Sequence, residues 1–151
     1  MRDRERLILQ TARGLLLNHG YLGLRMDDIA QELEYSKGTI YQHFPNKEEV
    51  ILALANQALT RRAALFSHAV TLRSPSRERL AAVGAAAELF VECFADFFQV
   101  EQIVRIRSVW EKTTEARRKV MRTCEQTCVT LIGAVVCDAI KVGDLKLPKG
   151  S

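Results

Sequence analysis

The sequence predicts an all-α protein, and three observations support this fold class. Apolar residues recur with helical spacing through nearly the whole chain. The three prolines, Pro45, Pro75 and Pro148, are rare enough to mark boundaries between helices. No segment alternates apolar and polar residues for long enough to form a strand. With 151 residues, 48% of them hydrophobic and 26% charged, the chain has the composition of an ordinary globular protein and not of a disordered one.

The first two helices are predicted within the first 33 residues. Apolar residues at i, i+1, i+4 and i+5 spacing run through residues 3–18, and Gly20 is placed to end this helix as a C-terminal cap. A short second helix is predicted over residues 26–33. Asp27 and Asp28 lie in its first turn, where the helix dipole favours negative charge.

Two more helices are predicted on either side of Pro45. Ser36 is a predicted N-cap for a third short helix over residues 37–44, which Pro45 ends. Asn46 lies three residues before Glu49, which is the spacing of a capping box with asparagine in place of serine or threonine. This cap begins a long fourth helix that is predicted to run to about residue 71.

Three further helices are predicted in the second half of the chain. Proline at the first helical position after Ser74 indicates a helix start, and Gly143 is placed to end the last helix. The total is about seven helices. The predicted ranges are residues 75–98, 100–110 and 114–142, with residues 144–151 as a loop.

The second and third helices are short and joined by a tight turn, which is the helix-turn-helix pattern. The last helix of such a unit enters the DNA major groove, so its first residues must reach base edges while flanking donors hold phosphates. Residues 36–44, Ser-Lys-Gly-Thr-Ile-Tyr-Gln-His-Phe, meet these demands. Gly38 allows close backbone approach, polar side chains occupy the exposed positions, and Ile40 and Phe44 anchor the helix to the core.

Four segments of the N-terminal sequence carry a family resemblance. They are Gly20-Tyr21, Met26-Asp27-Asp28-Ile29-Ala30, residues 36–44 above all, and Lys47-Glu48. With these segments, about residues 5–55 resemble the TetR-like bacterial transcriptional regulators. The resemblance implies a helix-turn-helix DNA-binding domain over residues 1–46 and a helical effector-binding and dimerisation domain over residues 47–151. It also implies a homodimer that binds double-stranded DNA at a palindromic operator.

The resemblance further implies DNA contacts at individual positions. Residues of the third helix are expected to approach bases or phosphates, and the lysine at the start of the fourth helix to hold a phosphate. Gln42 faces outward and is the predicted base-reading side chain, through amide pairing with adenine. Tyr35 is expected to contact a thymine methyl group or a phosphate. Arg25 stands where many members have Ser or Thr, so it can contact phosphate by charge, but its role as a cap is in doubt. The predicted DNA-binding residues are Arg25, Tyr35, Lys37, Gly38, Thr39, Tyr41, Gln42, His43 and Lys47.

The net charge of the chain, +4, does not come from a basic DNA-binding head. Residues 1–62 hold nine Lys/Arg and eight Asp/Glu, a net charge of +1. We therefore expect DNA affinity to depend on a few well-placed donors and on dimerisation, with a small contribution from net charge.

The region after Pro75 is apolar and aromatic, and the resemblance implies that a small-molecule effector binds among its helices. For each aromatic residue the alternative is plain hydrophobic core. Cys124 and Cys128 lie four residues apart on one helix face, a spacing that fits a metal or redox role as well as a buried apolar position. The basic run over residues 117–122 is expected to be a solvated, ion-paired face. The predicted effector-binding residues are Phe90, Phe94, Phe98, Arg107, Trp110 and Cys128.

Members of the family usually have two more long helices that form the dimer interface, whereas this chain ends just after the seventh predicted helix. We therefore expect a C-terminally shortened regulator with exposed apolar surface around Leu131, Val135 and Ile140. Self-association is expected to be weakened or rearranged.

The leading functional hypothesis is a transcriptional regulator, in particular a repressor released from its operator by an apolar or aromatic effector. The alternative is a helical protein-interaction module that keeps the fold without binding DNA. An enzyme is not expected, because the sequence has no paired carboxylates in an apolar setting, no nucleophile with a plausible base and no phosphate-binding glycine loop. No cofactor, metal or membrane partner is expected. The charged N-terminus without a signal-peptide pattern predicts a cytoplasmic location.

Overall fold

The computed structural model describes residues 2–146, and in this part of the chain it contains eight α-helices and no strand. The all-α prediction is confirmed. The predicted C-terminal loop is irregular at residues 144–146, and the rest of it, with Pro148 and Gly150, lies outside the described residues. The helices are α1 (Arg2–Gly23), α2 (Met26–Glu32), α3 (Lys37–His43), α4 (Lys47–Val70), α5 (Ser76–Cys93), α6 (Ala95–Val104), α7 (Arg107–Trp110) and α8 (Glu115–Val142).

The boundaries of α1, α3 and α4 follow from local sequence. Gly20 has φ 70 and ψ 179, a left-handed conformation that breaks the last turn of α1 where the sequence predicts its end. Ser36 Oγ accepts a hydrogen bond from the Thr39 amide at 3.2 Å. Asn46 Oδ1 accepts one from the Glu49 amide at 2.8 Å. These two predicted N-caps are therefore confirmed. The third, Ser74 with Pro75 at the first helical position, is wrong by one residue, because α5 begins at Ser76 and Pro75 is its N-cap residue. The Glu49 side chain does not return to Asn46 as a full capping box requires, because it reaches α8 instead.

The predicted fifth and sixth helices differ from the observed ones. Phe94 has φ −127 and ψ 38, so its backbone separates α5 from α6. Phe90, Phe94 and Phe97 cluster around this break, with ring centroids 5.6 Å apart from Phe90 to Phe94 and 6.3 Å apart from Phe94 to Phe97. A second interruption follows α6, where Ile106 is extended before the short α7. The stretch that helical periodicity predicts as two helices therefore forms three.

One hydrophobic core runs from the first three helices into the rest of the molecule. Ile8, Ile40 and Phe44 belong to the same buried cluster as Val104 of α6 and Met121 of α8. The central helix α4 packs against α1, α5, α6 and α8. Packing is therefore continuous across the predicted domain boundary after residue 46.

Helix α8 is the one helix, within the described part of the chain, that is long and apolar enough to pass a length-and-composition test for a membrane span. It also packs along α4 and α5. Glu125 and Asp138 lie along it and pair with Arg105 and Arg79 at 2.7 Å and 3.1 Å. A bundle helix with apolar residues on its packed face accounts for the same composition.

The apolar surface is exposed elsewhere than predicted. Val135 is only 1% exposed, because that stripe of α8 is the face that packs inward. Leu131 and Ile140 are half-buried. The exposed large apolar side chains after residue 46 lie instead at other positions of α5, α6 and α8, and they include Leu89, Val91, Phe98 and Val129.

Candidate nucleic-acid interface and ligand cavity

Helix α3 has one buried face and one polar, accessible face. Ile40 and Phe44 are completely buried, as predicted for the residues that anchor this helix. Lys37, Tyr41 and Gln42 are exposed, and Tyr41 retains 48% of its accessible surface. A slim helix with this division can enter a major groove and present hydrogen-bonding groups there.

Gly38 is not required by the packing of the protein itself. A Cβ atom at this position would meet only Ser36 Oγ, at 3.8 Å, which is an ordinary van der Waals distance. Its φ is not in the left-handed region. The absence of a side chain therefore gives an external partner close access to the backbone at the start of α3.

The cations at the start of α2 and α3 meet at one acidic residue. Lys37 Nζ donates to Asp27 Oδ2 at 2.7 Å, and an Arg25 guanidinium nitrogen lies 3.8 Å from the same oxygen. The hydrogen bond from Lys37 lowers the pKa of the Asp27 carboxyl. Arg25 is the N-cap residue of α2 but makes no side-chain cap bond, so it does not replace the usual Ser or Thr. Both cations stay accessible, with side chains 68% and 69% exposed.

Three other predicted DNA-binding residues are more engaged with the protein. Tyr35 is half-buried and packs against the core. Thr39 is half-buried, and its hydroxyl lies 2.9 Å from that of Ser36. The His43 ring is 9% exposed, with Nδ1 3.6 Å from Glu5 Oε1 of α1. To contact a phosphate, the His43 ring must therefore either move away from Glu5 or contact Glu5 and the phosphate at the same time.

Lys47 stabilises the end of α1. Its Nζ donates to the carbonyl oxygens of Tyr21 at 2.8 Å and Leu24 at 3.2 Å. The same ammonium group lies 4.4 Å from the centre of the Tyr21 ring, a cation–π distance. Since an ammonium group has three donors, one remains for a phosphate.

Two buried glutamates after the helix-turn-helix were not predicted as functional residues. Glu48 accepts a hydrogen bond from Tyr21 Oη at 2.8 Å and faces Lys112 Nζ at 3.4 Å. Burial alone would raise the pKa of Glu48, but the bonds from Tyr21 and Lys112 outweigh it and lower the pKa overall. Burial and this bond raise the pKa of Tyr21. Glu49 bonds to Thr114 and Arg117 at the start of α8.

The basic run of α8 is not uniformly solvated. Arg117 pairs with the buried Glu49, and its guanidinium lies 4.8 Å from the centre of the Phe44 ring. Arg118 donates to the carbonyl oxygens of Trp110 at 2.7 Å and Thr113 at 2.8 Å. The prediction of a solvated face is wrong for these two arginines. Arg117 contacts the first turn of α4 and the residue that ends α3, and Arg118 binds the carbonyl oxygens of the α7–α8 connection.

A cavity of about 500 Å³ lies among α4, α5, α6 and α8. Three of the predicted effector-binding residues line it, Phe90, Phe98 and Cys128. Its aromatic and aliphatic walls are completed by side chains of all four helices, and Val91, Phe98 and Val129 are exposed at its edge. The other lining residues are Arg62, Phe66, Ala87, Val91, Glu125, Val129 and Ile132.

Arg62 and Glu125 are the charged residues that line the cavity. Both belong to a network of linked ion pairs that continues behind the lining. Arg62 donates to both oxygens of Glu101, at 3.1 Å and 2.9 Å, and Glu101 is 2% exposed. Arg105 joins Glu101 to Glu125, at 3.2 Å and 2.7 Å. Burial raises the pKa of the Cys128 thiol, which also lines the cavity. The lining therefore holds one cation and one carboxylate, and it offers hydrogen bonds without an excess of either charge.

The remaining three predicted effector residues do not line the cavity. Phe94 packs behind its wall, against Phe90 and Phe97. Arg107 is exposed and pairs with Glu111. Trp110 packs against the buried cluster that includes Ile40 and Phe44, and the Arg118 guanidinium lies over its ring. The interruption before α7 directs these last two residues away from the cavity. Within residues 2–146 no group of three or more potential ligands that could hold a metal is present, Cys124 and Cys128 included.

An all-helical chain with a helix-turn-helix head and a cavity in its helical body has the architecture of a ligand-responsive DNA-binding protein. Residues 8–54 match the model of the N-terminal region of the bacterial regulatory proteins of the tetR family. The chain is 34% identical over 92 residues to the transcriptional regulator EthR of Mycolicibacterium smegmatis, which is 61% of this chain and 42% of EthR. The match thus spans less than half the length of that relative.

Solved structures agree with this assignment. The TetR-family regulator PfmR of Thermus thermophilus superposes with a TM-score of 0.77 at 22% identity, over 94% of this chain and 75% of PfmR. The structure of AibR in complex with isovaleryl coenzyme A and operator DNA superposes with a TM-score of 0.71 at 25% identity, over 96% of this chain and 76% of AibR. Residues 8–54 thus resemble the N-terminal region of the tetR family, and the described chain shares the fold of these solved structures. EthR is named a transcriptional regulator, which does not favour the interaction-module alternative.

Proposed function

We propose that this protein is a DNA-binding transcriptional regulator that inserts α3 into the major groove. One observation carries the proposal: Ile40 of α3 and Phe44, which directly follows α3, are completely buried, while Lys37, Tyr41 and Gln42 remain exposed on the outer side of the helix. This arrangement is the one that a recognition helix requires, since the scaffold holds one side and the groove receives the other.

Individual roles follow from exposure and chemistry. Gln42 is the base-reading residue, because its exposed amide can pair with the donor and acceptor of adenine. Lys37 and Tyr41 hold phosphates, and Gly38 allows the backbone to approach the DNA. Lys47 offers its one remaining donor to a phosphate. Arg25, Tyr35, Thr39 and His43 contribute at the edges of the same contact surface.

Dimerisation on a palindromic operator completes the DNA contact. Residues 1–62 have a net charge of only +1, so a single copy gains little from general electrostatic attraction. Two copies that bind successive half-sites double the number of specific contacts without a basic patch. A cytoplasmic location follows from this function.

The cavity of the body is the proposed effector site. Its volume of about 500 Å³ and its aromatic walls fit a small, largely apolar molecule with one hydrogen-bonding group. AibR was solved with both isovaleryl coenzyme A and operator DNA, which supports effector binding in this fold. A ligand that prefers one orientation of the heads would shift the population away from the DNA-binding conformation, as in a repressor.

Selection of bound duplexes from a random library tests the proposal. We expect enrichment of a palindrome, and fluorescence anisotropy on that duplex should give an affinity that falls steeply with salt. Lys37→Ala should reduce the salt slope by about 1, as loss of one phosphate contact does. Lys119→Ala, an exposed lysine of α8, is the matched control and should leave the slope unchanged. Failure to enrich any sequence, with no binding even at low salt, would overturn the proposal.

A further inference from the structure

The first turn of α8 is capped by a residue from α4. Thr114, the N-cap residue of α8, makes no side-chain cap bond of its own. The Glu49 carboxylate accepts a hydrogen bond from the Thr114 amide instead, although the two residues are 65 positions apart. It also accepts a hydrogen bond from the Thr114 hydroxyl at 3.3 Å. Glu49 thus supplies both the acceptor and the negative charge that a helix N-terminus favours.

Arg117 connects this cap to the end of the recognition helix. Its Nε lies 2.7 Å from Glu49 Oε2, and its guanidinium lies 4.8 Å from the centre of the Phe44 ring. Phe44 is the residue that directly follows α3. The Arg117 carbonyl oxygen also accepts a hydrogen bond from Asn56 Nδ2 of α4 at 3.2 Å. One arginine therefore contacts the end of α3, the first turn of α4 and the middle of α4.

Separating these elements would be unfavourable. Glu49 is 2% exposed, and a buried carboxylate that loses its cationic partner and its hydrogen bonds is strongly destabilised. The end of α3 and the start of α8 are therefore held as one unit. The same helix α8 contributes Glu125, Cys128 and Val129 to the cavity. Glu125 follows Arg117 by about 12 Å along the helix axis, at about 1.5 Å per residue.

We propose that Glu49 and Arg117 are positioning residues that fix the recognition helix to the N-terminal turn of α8. Through this contact, the helix that lines the cavity sets the orientation of α3, in addition to the direct connection through α4. The consequence for DNA recognition rests on the proposed function, whereas the contact itself does not depend on DNA.

Amide hydrogen exchange without DNA tests the contact. In Arg117→Gln we expect the amides of residues 40–44 to exchange at least about tenfold faster than in the wild type, while those of α5 keep their rates, because opening is local. Glu49→Gln, which keeps the size and an acceptor for Thr114 but loses the charge, should give the same pattern more weakly. Arg117→Lys restores the charge and should recover part of the protection.

Arg122→Gln is the matched control, since Arg122 lies on the same helix and pairs with the exposed Glu115. It should leave residues 40–44 within about twofold of the wild-type rate, as expected for a surface ion pair. Wild-type exchange at residues 40–44 in Arg117→Gln would overturn the proposal. An equal increase in every helix would also overturn it, because that pattern means general destabilisation only.

Binding to the duplex selected by the wild-type protein tests the consequence for DNA. Arg117→Gln should lower the ratio of specific to random-duplex affinity by at least about tenfold, within the range of typical couplings between sites. Unchanged specificity despite faster exchange would overturn the positioning role while leaving the proposed function intact. If the wild type selects no duplex, the proposed function fails, and the exchange data alone decide whether the contact holds α3.

Discussion

Lys47 Nζ donates to the carbonyl oxygen of Tyr21 at 2.8 Å and lies 4.4 Å from the centre of that residue's ring. The lysine that the family resemblance assigns to DNA therefore also stabilises the end of α1. A loss of DNA binding on substitution of Lys47 has two sources, and they must be separated before the residue is called a DNA contact.

Substitution of Lys47 by alanine should lower stability as well as DNA affinity. Loss of two charge-assisted hydrogen bonds and the ring contact is expected to reduce the free energy of unfolding by about 1–3 kcal/mol, after allowance for partial exposure. Urea unfolding measures this. Lys37→Ala is the comparison, since its pair with Asp27 is exposed and should contribute little to stability. Equal stability losses for the two variants would contradict the structural role of Lys47.

Tyr21→Phe should reveal the hydrogen bond to Glu48 through pH. Glu48 has a pKa below its ordinary value of 4.5 in the folded protein, so its stabilising contribution is present above about pH 4.5 and is lost as pH falls through the lower, folded pKa. Removing the tyrosine hydroxyl makes the folded pKa less depressed. The variant should therefore be less stable by about 1–3 kcal/mol at pH 7, with a smaller difference near pH 3. Urea unfolding of both proteins at pH 7 and pH 3 measures this. A difference in unfolding free energy that is the same at both pH values would contradict the prediction.

The cysteine thiols should divide into a group that is alkylated fast and a group that is alkylated slowly. Cys93 and Cys137 are exposed, whereas Cys128 is buried in the cavity and burial raises its pKa. Because the thiolate is the reactive form, iodoacetamide at pH 8 should modify Cys93 and Cys137 first and Cys128 last. Peptide mass spectrometry follows each site. Modification of Cys128 at the rate of Cys93 would contradict the described cavity.

Two phenylalanines of the cavity should separate stability from ligand binding. Phe90 is 1% exposed and Phe98 is 36% exposed. Phe90→Ala should cost about 3–5 kcal/mol of unfolding free energy, while Phe98→Ala should cost much less. Both should weaken binding of the apolar fluorescent probe anilinonaphthalene sulfonate. Unchanged probe affinity in Phe98→Ala would argue against this cavity as the binding site.

The parts of the structure that depend on near neighbours in sequence could be predicted. Ser36 and Asn46 act within three residues of their amide partners, so their capping roles are visible in the sequence. The spacing of Ile40 and Phe44 predicts that both are buried, and both are, although Phe44 has an extended backbone and lies just after α3. The exposed polar side of α3 follows from the same periodicity.

The parts that depend on distant partners could not be predicted. Periodicity does not show the break at Phe94, because residues 90, 94 and 97 are spaced to share one face of an unbroken helix. Nothing in the local pattern links Glu49 to Arg117, so the sequence predicts a solvated face for the whole basic run over residues 117–122. Phe90, Phe98 and Cys128 reach the cavity, but the turn before α7 carries Arg107 and Trp110 elsewhere, and a sequence does not specify that direction.

Base reading by α3 is tested most directly by the affinity of Gln42→Ala for single-base-pair variants of the duplex that the wild-type protein selects. We expect Gln42→Ala to lose discrimination at one A·T pair in each half-site, by about 1–3 kcal/mol, and to keep it at the other positions. Gln126→Ala, an exposed glutamine on α8, should discriminate like the wild type. Retention of full discrimination by Gln42→Ala at every position would contradict the assignment of Gln42 as the base-reading residue of α3.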